Sequence, residues 1–170
     1  LVALIVEQLP NEDFLLVGES FSGYLAYRVA LMKPQYMRGV LFVATFVACP
    51  RPWLASLTST LMFFVRVASP PNMIIQHYFT GPNPSDELVS RFKTAVSSVE
   101  SHVLRDRLKQ VARLQQPEHS LELPCYVLQA GQDRLIPKQA AESILKIAPE
   151  LRLFVIEGPH LILQKQPRQS

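Results

Sequence analysis

Phe14-Leu-Leu-Val-Gly-Glu-Ser20-Phe-Ser-Gly23 is a short apolar run that ends in a turn with a serine at its centre, and a helical pattern from Tyr24 to Met32 follows at once. A strand, a cramped turn and a helix in that order would lift a serine hydroxyl clear of a parallel sheet. The turn demands small residues two places before and two places after the serine. Gly18 and Ser22 stand there, with Glu19 and Phe21 between, and Gly23 lets the helix come close to the strand. Ser22 replaces the more usual glycine, so the match to G-x-S-x-G is near rather than strict. The competing reading is a strand-to-helix turn in which Ser20 or Ser22 only caps the helix.

Working outward, Leu1 to Leu9 reads as the end of an amphipathic helix closed by Pro10. After Ser20 the helix carries Leu25, Ala26, Val29 and Ala30 on one face and ends at Pro34. Gly39 to Thr45 is a second, unbroken apolar strand, which suits a parallel sheet covered on both faces. From Pro50 to about Ser120 prolines punctuate helical patterns. One is the uncharged stretch Pro52 to Val65, a core helix or an interfacial segment at that length. Asn83-Pro-Ser-Asp-Glu87 reads as a helix start with Asn83 as cap, and Ser97 with Glu100 has capping-box spacing for a helix running to Leu114. The sheet pattern returns in Pro124 to Ala130. A helix over Lys138 to Ala148, with Ala140, Ala141, Ile144, Leu145 and Ala148 inward, precedes a strand over Leu151 to Ile156.

At 170 residues the chain is one domain's worth, or a large part of one. Its charged fraction, 18%, lies below the usual value of about 25%, and a net charge of +3 is mild. Arg105, Arg107, Lys109 and Arg113 share one helix, but Glu100 and Asp106 intersperse them, so no nucleic-acid footprint is read. Cys49 follows one expected strand and Cys125 begins another. Seven strand residues span roughly 23 Å, so the pair is read as reduced. No run reaches the ~20 apolar residues of a membrane span and no signal-peptide pattern is seen; a cytoplasmic location is expected. The first residue is Leu rather than Met, which reads as a chain that has been cut or that begins inside something longer. The histidines and cysteines show no metal-ligand spacing, and no glycine-rich phosphate loop follows a strand, so neither metal nor cofactor is expected.

Strand–helix alternation implies a parallel sheet, whose reactive groups gather at the carboxyl ends of the strands. Ser20, Asp133 and His160 fall just past strand ends. A serine hydroxyl needs a base to take its proton, and the base needs an acceptor to orient it. These residues supply one of each, in the order Ser, Asp, His. Singly, Asp133 reads equally well as the cap of a turn, and His160 as a loop histidine without a partner, as His77, His102 and His119 are read.

Together these stretches resemble the α/β-hydrolase superfamily, and serine carboxylesterases in particular. Gly18-Glu-Ser20-Phe-Ser22 looks like the nucleophile elbow, Gly131-Gln-Asp133-Arg-Leu-Ile-Pro137 like the acid loop, and Glu157-Gly-Pro-His160 like the histidine loop. The resemblance implies the second half of that fold: a parallel sheet of about four strands with flanking helices. Core segments 1–49 and 121–170 would enclose a helical cap at 50–120. It also implies that Ser20 attacks an ester carbonyl, that His160 moves the proton, that Asp133 orients the imidazole, and that the Phe21 N–H donates to the oxyanion. The family's second oxyanion donor comes from a loop after an earlier strand, for which no segment is seen here. Loss of one such donor costs on the order of 10²–10³ in rate.

Without those earlier strands the Phe14–Val17 strand becomes an apolar edge, a site for self-association or for a completing partner. The expected ligand is a small-molecule ester, with Pro52–Val65 lining the acyl pocket or, on a lesser reading, meeting a membrane surface. The alternative function is a non-catalytic remnant that acts as a binding module or needs that partner. Acyl transfer, thioester hydrolysis and peroxide-dependent oxidation would use the same three residues.

Overall fold

The computed structural model describes residues 1–50, 70–148 and 150–168. Helix α1 (Val2–Val6) leads into β1 (Phe14–Glu19), α2 (Ser22–Ala30) and β2 (Met37–Val43). Next come α3 (Asn72–Ile75), continued by a π-helical turn over Gln76–Thr80, then α4 (Asp86–Ser97) and α5 (Ser101–Ala112). The chain returns to the sheet in β3 (Cys125–Ala130), α6 (Ala140–Ile147), β4 (Arg152–Ile156) and α7 (Ile162–Lys165). The four strands lie in the order β1-β2-β3-β4, every pair parallel. This is the expected partial α/β-hydrolase sheet with flanking helices.

Position in the sheet decides what the apolar runs become. Interior β2 buries Val40, Phe42 and Val43 completely, and β3 buries Cys125, Val127, Leu128 and Ala130. Each large aliphatic or aromatic side chain so placed contributes about 1.5–3 kcal/mol. Strand β1 reads just as apolar, yet Leu15 is 60% and Val17 50% exposed because, among the described residues, nothing pairs with its outer edge. Strand β4 is the other edge and also leaves Leu153, Phe154 and Val155 exposed, which the sequence pattern did not indicate.

Helix α2 lies on the sheet through Ala26, Tyr27, Val29 and Ala30; Tyr27 was not assigned to that face, and Leu25, which was, is only half buried. The Tyr27 hydroxyl stays satisfied by donating to the His119 carbonyl at 2.9 Å. The helix stops four residues before Pro34, and Lys33 takes a left-handed φ of 50° there.

Several helix boundaries differ from expectation for identifiable reasons. Helix α1 is only five residues long and stops at Val6. The cap of α4 is Ser85, whose hydroxyl accepts from Leu88 N–H, so Asn83 and Pro84 lie outside the helix. Ser97 is the last residue of α4 and donates back to the Thr94 carbonyl, so no capping box with Glu100 forms. Helix α5 ends at Ala112, short of Leu114. On α6 and at its C-terminal cap, Ala140, Ala141, Ile144 and Ala148 are buried as expected, but Ile147 is buried too and Leu145 is 44% exposed. Both cysteines are free, Cys125 buried beside Val40 in the sheet. The apolar stretch Pro52–Val65 lies outside the described residues.

Candidate active site

The carboxyl ends of β1, β3 and β4 present Ser20, Asp133 and His160. Ser20 follows β1 with φ 51°, a left-handed conformation that is costly for a residue with a Cβ. The turn is held from several sides. Ser20 N–H donates to the Val43 carbonyl at 3.0 Å. The Ser20 carbonyl accepts from Gly23 N–H at 3.1 Å and from the Thr45 hydroxyl.

Close packing explains the small residues. A Cβ on Gly18 would lie 2.7 Å from Gly23 Cα, and one on Gly23 would lie 2.6 Å from Thr45 Cγ2. Ser22 is accommodated because its hydroxyl folds back to donate to the Glu19 carbonyl at 2.7 Å. No side chain caps α2, so neither Ser20 nor Ser22 serves as a helix cap.

Asp133 does two things at once. Its Oδ1 accepts from the N–H groups of Leu135 and Ile136, at 2.8 Å each, which is the turn-capping arrangement. Its Oδ2 lies 2.8 Å from His160 Nδ1. An ionised carboxylate can only accept, so Nδ1 carries the proton and donates. Nε2 is left to accept from the Ser20 hydroxyl, 3.0 Å away. The loop that carries Asp133 is tied to the loop that carries His160, since Gln132 N–H donates to the Gly158 carbonyl at 2.9 Å.

His160 is 2% exposed. The ring of Phe79, from the π-helical turn, stands edge-on to its imidazole at 5.9 Å, and the Phe79 carbonyl accepts from Leu161 N–H at 2.9 Å. Phe79 in turn packs on Phe92 of α4, 4.7 Å between centroids. Helix α5 reaches the same place from another side: the Arg107 guanidinium lies 5.9 Å from the centre of the Phe21 ring. The Phe21 N–H meets no backbone acceptor among the described residues.

All three chain-order candidates thus meet, and Phe21 and the turn residues Gly18, Glu19, Ser22 and Gly23 surround them. Thr45, Phe79 and Arg107 also belong to this neighbourhood, and the sequence reading passed over the first two. A polar residue just past an apolar strand was the only available signal for Thr45, and Phe79 had none. Two histidines expected to be unpartnered are not so. His77 Nδ1 lies 3.0 Å from Arg134 Nη1, and His102 Nδ1 lies 3.0 Å from Glu100 Oε2. Among the described residues no group of three or more His, Cys, Asp or Glu could hold a metal ion, and no helix is long and apolar enough to cross a membrane.

Comparison with known proteins gives this geometry a context. The family model "Serine aminopeptidase, S33", a hydrolase family, matches residues 1–163. The biotin biosynthesis bifunctional protein BioHC of Cellvibrio japonicus (strain Ueda107) is 30% identical over 180 residues, covering 99% of this chain and 36% of that protein. Among solved structures, the esterase EaEST of Exiguobacterium antarcticum superposes with a TM-score of 0.80 at 16% identity, over 99% of this chain and 67% of that one. A hydrolase from Pseudomonas aeruginosa PA01 superposes with a TM-score of 0.77 at 17% identity, over 99% of this chain and 65% of that one. The chain therefore spans about a third of the curated relative and about two thirds of the solved structures.

Proposed function

Because the chain belongs to the S33 family of α/β-hydrolases, we propose that it cleaves small-molecule carboxylic esters, with Ser20 as nucleophile, His160 as general base and acid, and Asp133 as the group that orients His160. The observation that carries this reading is His160 bridging Ser20 Oγ at 3.0 Å and Asp133 Oδ2 at 2.8 Å.

Ser20 Oγ bonds to the ester carbonyl carbon while its proton passes to His160 Nε2. The carbonyl oxygen becomes an oxyanion that accepts from the Phe21 N–H. The tetrahedral species collapses, the C–O bond to the alcohol breaks, and His160 returns the proton to the leaving alkoxide. A water molecule then gives a proton to His160 and its oxygen attacks the acyl-Ser20 carbonyl, which releases the carboxylic acid and restores Ser20. The route needs no cofactor. In this reading residues 1–49 and 121–170 form the core and 50–120 a helical cap above it, supported by the approach of Phe79 and Arg107 to the site. The cytoplasm is the proposed location.

A second reading is favoured by the edge of β1, unpaired among the described residues, and by the two-thirds coverage of solved structures: a binding module that holds the three residues but does not turn over alone, or that needs a partner along β1. A fluorophosphonate probe on the parent chain and on Ser20→Ala, with the adduct mapped by mass spectrometry and p-nitrophenyl acetate and butyrate hydrolysis followed in parallel, separates the two. Labelling and turnover that both vanish in Ser20→Ala are expected for the hydrolase. Labelling at Ser20 without turnover favours the binding module. No labelling of folded protein would refute the nucleophile assignment.

A further inference from the structure

We propose that Arg107 is a specificity residue that binds a carboxylate on the substrate, so that the preferred ester carries a free acid group on its acyl chain. Two observations meet in this side chain. Its guanidinium lies over the ring of Phe21, the residue that follows Ser20 and that the hydrolase reading makes an oxyanion donor. Its Nε is closed to solvent and has no hydrogen-bond partner among the described residues. A guanidinium is always charged, and an N–H of such a group shut away from water without an acceptor is unfavourable in the folded chain. A ligand that brings an acceptor to that point removes the penalty only when it is bound.

None of the nearby acids forms an ion pair with Arg107 among the described residues. Asp106 pairs with Lys109 at 3.5 Å, and Glu100 with His102 at 3.0 Å. Glu19, beside Ser20, has its Oε2 facing Gln164 at 3.4 Å, while its Oε1 is buried without a hydrogen-bond partner among the described residues. No carboxylate of this chain forms an ion pair with Arg107 among the described residues, and its guanidinium stands 5.9 Å from the ring of Phe21, next to the nucleophile. A planar fork of donors suits a carboxylate, which can accept two of them side by side. The Phe21 ring beside it offers the guanidinium a cation–π contact.

This inference rests on the hydrolase reading for the word substrate, but its test does not depend on turnover. In a chain carrying Ser20→Ala, monomethyl glutarate and methyl pentanoate, esters of similar length with and without the acid, are titrated calorimetrically. Monomethyl glutarate is expected to bind at least about tenfold more tightly, by the usual strength of a charge-assisted pair. That preference should shrink as salt is raised and vanish in Arg107→Gln. Arg107→Lys, which keeps the charge but not the fork, should retain part of it.

Equal binding of the two esters, no detectable binding of either, or a preference that survives in folded Arg107→Gln would each overturn the proposal. The hydrolase reading is judged separately by fluorophosphonate labelling of Ser20 in the parent chain. An acid preference without labelling would keep the carboxylate site and remove the hydrolase, and labelling without an acid preference would do the reverse.

Discussion

Replacing Asp133 by asparagine separates the two duties of that side chain. Oδ1 accepts from two backbone N–H groups at 2.8 Å, and Oδ2 accepts from His160 Nδ1 at 2.8 Å. An asparagine has one acceptor oxygen, and two fixed donors outweigh one movable ring, so the oxygen takes the Oδ1 place. The NH₂ group then faces His160 Nδ1, which must accept. The ring proton moves to Nε2 and points at Ser20 Oγ as a donor, where a base is required. The turn stays whole while the base is lost. The same change of tautomer in a serine-protease triad costs about 10⁴ in kcat, or about 5.5 kcal/mol of barrier.

Asp133→Ala removes the acceptor for both N–H groups as well, and each half-buried donor left unpaired costs about 1–3 kcal/mol of stability. Asparagine should therefore melt close to the parent and lose activity, while alanine should lose both. Ester turnover and the rate of fluorophosphonate labelling, measured beside thermal melts of all three chains, check this. An asparagine chain that kept more than about a tenth of the parent rate would refute the tautomer argument. One that melted as low as the alanine chain would refute the division of duties.

Gly23→Ala should cost about 1–3 kcal/mol, or about 3–10 °C in Tm at this chain length, because its Cβ would stand 2.6 Å from Thr45 Cγ2 in a buried contact; an unchanged melt would show that the turn can yield. Burial pushes the Cys125 thiol up to about 11, so the unfolded chain releases that proton first and stability should fall as pH rises from 9 toward 11. Urea midpoints across that range should drop less steeply in Cys125→Ala, and equal slopes would remove the linkage. Lysines at Leu15 and Val17, the exposed positions of β1, should abolish self-association through that edge. The same mass by light scattering before and after the change, whether monomer or oligomer, would count against edge pairing.

The order of the elements, and the place of the chemistry along the chain, can be read from the residues alone. Local rules suffice for that: Gly18 and Gly23 bracket a turn that tolerates little bulk, β2 is a continuous apolar run, and Ser20, Asp133 and His160 each follow a strand. Whether Asp133 caps a turn or orients a histidine was open in the sequence, because both use the same carboxylate, and the structure has it doing both with different oxygens. Other features are set by residues far apart in the chain and leave no local pattern. Thr45 holds the Ser20 turn across 25 positions, Phe79 stands against His160, and Arg107 reaches Phe21 from α5. The difference between buried β2 and half-exposed β1, alike in composition, is likewise one of sheet position: a strand's burial depends on what lies beside it, which is set when distant segments pack together.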